Sequence, residues 1–329
     1  MIDLIRIVSK KLSAEGFANI VAINKLGCNT ERGNICYSNR KEKNLKHAKG
    51  IYINIDVKGS LKVEGSLHKY YNETETGIRQ NYNLFSMKQA QNAIEKLLSE
   101  KAIPQTGTTV TYCEVGVNLV LPQDCISYLR KMLYIERQDG TQKRLYINPR
   151  FKDERTITTE FYEKIRTHYK AYDKGIELTA KTPKNRKELY AEIQGKNILR
   201  IETVHKRLEN RGLYSFFTKQ NLKKLQESFF KDWESVCFEP DVFFPPQTGA
   251  AKKMLAKEIL VVGKDEALRK AKEAREKGTL TEKEYRGKRE FIKNEWNTFK
   301  TTLRLEQSQE EKEYRKELAS VKDIHINNL

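Results

Sequence analysis

No apolar run in the 329 residues approaches the roughly 18 to 20 needed to cross a bilayer, which excludes a sequence-visible membrane span. The opening MIDLIRIVSKKL has too short an apolar stretch and no small-residue cleavage site, so no secretory signal is read there and the cytoplasm is the expected compartment. Cysteine is scarce: Cys28, Cys36, Cys113, Cys125 and Cys237 make an odd set of five without a CxxC pair. That pattern argues against a disulfide framework and a thiolate zinc site, and free thiols are expected. Also missing is an RNP-like run of aromatics, the feature a sheet-face RNA-binding domain would need.

What is abundant is charge. Lysine and arginine number 62 against 44 acidic residues, a formal net charge of +18 with a pI near 9.5. A surface that basic attracts polyanions by counterion release, so nucleic acid is the expected partner. Hydrophobic residues make up only 38 % of the chain and mean hydropathy is -0.73, as for a packed part joined to solvated helices. The length exceeds the usual single-domain range, and the composition divides it into 1–235, a linker at 236–250 and a basic helical extension over 251–329.

Period-two alternation dominates the first part. Residues 1 to 50 read as short strands and a basic loop holding His47. IYINIDV and SLKVEGSLHKYYN then read as a hairpin turned by Lys58 and Gly59, with a polar row ending at His68. Ser86 N-caps an amphipathic helix to about Glu100, and the strand Thr108 to Leu121 puts Cys113, Val115, Val117, Leu119 and Leu121 on one face, Tyr112, Glu114 and Asn118 on the other. A helix over Pro122–Leu133 follows, then strands at KRLYINPRF, at RTHYKAYDKGIEL from Arg166 and at Ile198–His205. Phe216 to Trp233 reads as a helix, and a capping box at Thr281 and Glu284 opens one running to about Leu318. One-sided strands with helix stripes predict an α+β fold: an antiparallel sheet, helices packed on one face, an open polar face and a C-terminal helical extension.

Strand alternation puts His68, Glu114, Tyr172 with Lys174, and Arg200 with Glu202 on that polar face. His68, Glu114 and Glu202 together make a candidate hard-cation site for Mg2+ or Mn2+, which favour oxygen ligands with an occasional imidazole. Tyr172 beside Lys174 is a candidate nucleophile whose tyrosinate the lysine would stabilise. Structural salt links on a solvated sheet face are the competing reading. His205 falls on the opposite face and His168 could face either way.

At these residues the chain resembles the filamentous-phage gene II type of rolling-circle replication initiator. GSLKVEGSLHKY looks like that family's G-x-L-x-V-x-G-x-x-H segment, YKAYDKGIEL its tyrosine-x-lysine strand and ILRIETVHKRLENRGL its R-x-E strand, and MIDLI is similar to its opening. The likeness spans roughly residues 1 to 235. It implies nicking and rejoining of one origin strand through a phosphotyrosyl intermediate with a divalent metal, a host cytoplasm, and host helicase and polymerase as partners. Arg166 and Arg200 would then contact DNA. CEVGVNL departs from the family, with Glu114 for an aspartate and Cys113 outside any Arg-x-Asp motif. Tyr162 in TTEFYEKIR competes with Tyr172, because related plasmid initiators carry a tyrosine just upstream. The alternative function is a non-catalytic DNA-binding initiator or copy-number regulator.

Overall fold

Alternation becomes strands because β-branched residues recur every second position, and the computed structural model shows where they pair; it describes residues 1–31, 33–40, 50–137, 140–148, 155–160, 166–181, 193–206, 208 and 212–328. The first half runs β1 (Ile2–Ser9), α1 (Ala14–Asn24), β2 (Gly27–Glu31), β3 (Asn34–Ser38), β4 (Tyr52–Asp56), β5 (Leu61–Ser66), α2 (Leu67–Thr76), α3 (Met87–Glu100) and β6 (Thr108–Leu121). Next come α4 (Cys125–Lys131), β7 (Met132–Glu136), β8 (Gln142–Arg144), β9 (Tyr146–Ile147), β10 (Thr156–Thr158), β11 (Thr167–Asp173), α5 (Lys174–Lys181) and β12 (Asn197–Lys206). The chain continues through α6 (Leu213–Phe216), α7 (Lys219–Glu234), β13 (Val236–Phe238), β14 (Asp241–Phe243), α8 (Ala250–Val262), α9 (Lys264–Glu276), α10 (Glu282–Glu290), α11 (Trp296–Lys300), β15 (Arg304–Glu306) and α12 (Gln309–Asn327).

Among the described residues ten strands form one antiparallel sheet in the order β2-β3-β4-β5-β1-β6-β12-β11-β10-β9. The α+β class and the antiparallel sheet expected from the alternation are therefore present. β6 is the axis, paired with β1 on one side and with β12 on the other, Arg200 opposite Asn118 and Glu202 opposite Gly116. Its apolar row Cys113, Val115, Val117, Leu119 and Leu121 is buried in the main core with the α3 stripe Met87, Ala90, Ala93, Ile94, Leu97 and Leu98. Ser86 and Gln89 close the α3 capping box. Trp233 of α7 anchors the same layer, its indole N–H donating to Thr203 Oγ1 at 3.1 Å. Among the described residues no helix is long and apolar enough to cross a membrane.

Several boundaries differ from the sequence reading. Residues 14–24 form a helix, not a strand, because Ser13 caps it and Phe17, Ile20 and Val21 recur at helical spacing to meet the core. The stretch Pro122–Leu133, expected as one helix, is divided: Asp124 caps only α4, and Met132 turns into β7. Thr218 caps α7 after a separate single turn, α6. The helix expected from Thr281 to Leu318 is broken. α10 passes into a π-helical turn, Phe291–Glu295, then α11, and the chain returns through β15 before α12 begins at its Ser308 cap. His47 lies outside the described residues.

The region beyond 250 divides accordingly. Leu255, Ala256, Ile259, Phe291, Ile292 and Trp296 make a small core of their own. The strands β14 and β15, paired from Asp241–Glu306 to Phe243–Arg304, close the two ends of this insertion together. α12 instead joins the main core through Tyr314 and Leu318, and the Tyr314 hydroxyl donates to Trp233 O at 3.0 Å.

His325 of α12 is 3 % exposed, and burial lowers its pKa to about 3. It is neutral in the fold and protonates below about 6.5 once unfolded, so its contribution is present above pH 6.5 and lost as pH falls toward 3. Relative to His325→Gln, the chain should lose about 2 kcal/mol of stability between pH 7 and pH 5. Urea denaturation of both proteins at the two pH values measures this; parallel losses would show that His325 titrates alike folded and unfolded.

Candidate functional site

Cross-strand register builds a row across the sheet at one end of the polar face. Tyr52 pairs with Glu64, Glu64 with Arg6, Arg6 with Tyr112 and Tyr112 with Lys206. The backbone N–H of Lys206 then donates to Arg166 O at 2.7 Å, which continues the row to the exposed Arg166. Arg40 and Lys62 lie over the Tyr52 ring at 4.3 and 5.6 Å, and Arg6 lies over Tyr112 at 5.3 Å. Glu64 is neutralised by Arg6 and Lys62 at 2.9 and 2.8 Å, so the row is basic and aromatic in alternation. Such interleaving suits a single nucleic-acid strand, whose phosphates meet cations while its bases meet rings.

Deeper along the same face, alternating charges form a chain. Arg200 donates to Asp3 at 2.8 Å, to Glu202 at 2.5 Å and to Asn118 Oδ1 at 3.0 Å. Glu202 also meets Lys170 Nζ at 2.6 Å and accepts from the Tyr172 hydroxyl at 3.2 Å. Lys170 reaches on to Glu114 at 3.2 Å, and Glu114 accepts from the Tyr112 hydroxyl. Three carboxylates thus share two cations. Burial works to raise the Glu202 carboxyl, but Lys170 and Arg200 outweigh it and hold the group ionised. Glu114 takes the opposite direction: burial and then the Glu202 charge raise its pKa, with Lys170 opposing.

Gly116 is what lets this chain close. A Cβ there would lie 2.6 Å from Glu202 Cγ and 2.8 Å from Ile201 O, so any side chain would push Glu202 off Arg200 and Lys170. Asp3 is fixed from the other side by the Ser66 hydroxyl and by Asn81 Nδ2 at 2.7 Å. Burial works to raise the Asp3 carboxyl, yet Arg200, His68 and Lys174 together hold it well below the usual range.

The expected site residues are only partly gathered. Tyr172, Glu202 and Glu114 do share the polar face. Lys174 does not continue the strand: β11 ends at Asp173 and Lys174 opens α5, 1 % exposed, its ammonium on Glu177 at 2.6 Å. His68 is also off the strand, because the Ser66 hydroxyl that would extend β5 caps α2 instead. Its Nε2 is 2.6 Å from Asn83 Oδ1, its ring stacks on Phe85, and burial lowers its pKa to about 3. Arg200, expected to face DNA, is 2 % exposed and fully engaged. Beside it Leu178, Ile193 and Ile198 pack together with Tyr82. Tyr162 lies outside the described residues. His205 and His168 are on opposite faces, and His168 lines the polar side.

Three members of the chain were not singled out in sequence: Asp3, Lys170 and Tyr112. Lys170 had a signal, since it is two residues before Tyr172 and shares its face. Asp3 had only its place in the similar opening, because a register shift in β1 between Ile2 and Ile5 breaks the alternation.

The donor set bears on the expected Mg2+ or Mn2+. Among the described residues no three His, Cys, Asp or Glu side chains stand together as a cation site. His68 is turned onto Asn83, and Lys170 fills the space between Glu114 and Glu202. As arranged, His68, Glu114 and Glu202 do not fit a metal, and the ammonium of Lys170 holds the position a cation would take. No protein-family model, curated protein or solved structure matches the chain.

Proposed function

We propose that this chain is a rolling-circle replication initiator that binds origin DNA and nicks and rejoins one strand through a phosphotyrosyl intermediate. One observation carries the reading: the basic and aromatic row leads along β6 and β12 to tyrosine hydroxyls hydrogen-bonded to carboxylates that share one lysine. A tyrosine beside a carboxylate can pass its proton as it attacks phosphorus, and a fixed ammonium can neutralise charge that builds on the phosphate. The net charge of +18 supports the binding step. A divalent cation and the host helicase and polymerase belong to the proposal as participants outside the residues that this chemistry uses.

Supercoiled plasmid carrying the replicon should be converted to open circles whose 3′-hydroxyl a polymerase extends, with an activity that falls steeply as salt rises. Binding with the same salt dependence but no open circles, with or without Mn2+, would leave the non-catalytic initiator or copy-number regulator as the correct reading.

A further inference from the structure

Among the described residues, the polar face carries two tyrosine–glutamate pairs, and one of them, Tyr112 with Glu114, lines a space large enough for a nucleotide. A cleft of about 590 Å3 lies along β6, β12, β11, β10 and β9, with Tyr112, Glu114, Tyr146, Thr158, His168 and Lys170 among the side chains lining it. That volume is in the range of roughly 300 to 1,000 Å3 typical of small-molecule sites. Tyr172 is not part of the lining, and its hydroxyl is turned onto Glu202, which is 1 % exposed. Tyr112 is half-buried, lines the cleft and donates its hydroxyl to Glu114, which lines it too.

Resting on the strand-cleavage reading above, we infer that this cleft is the phosphodiester site and that Tyr112, with Glu114 as its base, forms the bond to phosphorus. Tyr112 Oη bonds to phosphorus as the P–O3′ bond breaks. The tyrosine proton goes to the Glu114 carboxylate, and the departing 3′ oxygen takes a proton from Lys170 or from water to become a hydroxyl. One phosphodiester is exchanged for another, so no oxidant or further reactant enters, and the reverse step rejoins the strand.

Three features of the chain favour Tyr112 over Tyr172. The row of Tyr52, Arg6 and Lys206 passes through Tyr112 itself, so a strand lying on the row brings a phosphate to that hydroxyl. Lys170 Nζ, 3.2 Å from Glu114, is 28 % exposed at its side chain and can reach the same phosphate. Glu114, with its raised carboxyl pKa, is also a stronger proton acceptor than Glu202, which two cations hold ionised. Tyr172 is then a positioning residue that holds Glu202 in line with Lys170.

The test uses the full chain, Tyr112→Phe and Tyr172→Phe, each checked by circular dichroism and thermal melting. Each is incubated with supercoiled plasmid and with a random-sequence pool of circular single-stranded DNA, with and without Mn2+. SDS-stable protein–DNA adducts are then digested and the nucleotide-bearing peptide is identified by mass spectrometry. The expected result is a nucleotide on Tyr112, an adduct yield at least 100-fold lower in folded Tyr112→Phe, and an adduct still on Tyr112 in Tyr172→Phe. An adduct mapped to Tyr172 or Tyr162, or a full yield from Tyr112→Phe, overturns the assignment while strand cleavage stands. No adduct from the unmodified chain overturns both.

Discussion

Arg200→Met is expected to cost about 3 to 5 kcal/mol of folding stability, the largest loss from any single change in the charge chain. Burial of Arg200 is tolerable because its guanidinium serves three acceptors at once, Asp3, Glu202 and Asn118. Methionine fills similar volume and so creates little cavity, but it strands Asp3 and Glu202 in the interior with one fewer cation between them. Glu202 keeps Lys170, and Asp3 keeps the Ser66 and Asn81 donors with the more distant charge of Lys174. Adding Asp3→Asn to the same protein removes one stranded charge and should restore part of the loss. Urea denaturation of the three proteins measures both effects. A loss below about 1 kcal/mol would mean that water reaches these carboxylates, as at an exposed ion pair.

Lys170→Met is expected to lower strand cleavage by about 100- to 1,000-fold, the usual effect of deleting one charge donor aimed at a transition state. Lys170 touches Glu202 and Glu114 together, and those two charges hold it protonated against its own burial. Without it the two carboxylates face each other, so Glu114 takes up a proton more readily and is lost as a base at neutral pH. The vacated position lies between two carboxylates, a donor pair suited to a hard cation. Millimolar Mn2+ should therefore recover part of the lost cleavage in Lys170→Met and strengthen Mn2+ binding in a calorimetric titration relative to the unmodified chain. Cleavage that is unchanged in Lys170→Met would remove this lysine from the chemistry.

The sheet was legible because β-alternation is local. Thr108 to Leu121 was readable to its ends, and from Cys113 onward so was its apolar row; before that, a bulge opposite Arg6 and Ile7 shifts the alternation, so Thr108 and Val110 are buried as well. The site was legible only where its residues lay on uninterrupted strands: Glu114, Tyr172 and Glu202 keep the faces that alternation assigns. Lys174 and His68 were misplaced for one shared reason. Each sits one or two residues past a strand end, where a backbone switch to helix rotates the next side chain away from the two-residue pattern. The burial of Arg200 was not readable at all, because its acceptors Asp3 and Asn118 come from other strands and Tyr82 reaches the Leu178, Ile193 and Ile198 cluster from a distant part of the chain. The basic and aromatic row was equally hidden, as Tyr52, Arg6, Tyr112 and Lys206 fall into line only once five strands are placed side by side.

The most direct measurement is denaturing gel analysis of the unmodified chain after incubation with 3′-end-labelled, replicon-derived DNA. The proposal requires label that migrates with the protein through SDS and heat, survives hydroxylamine as a phosphotyrosyl bond does, and is released as a nucleotide by nuclease. DNA that remains uncut and fully dissociable from the protein under every salt and metal condition would contradict it.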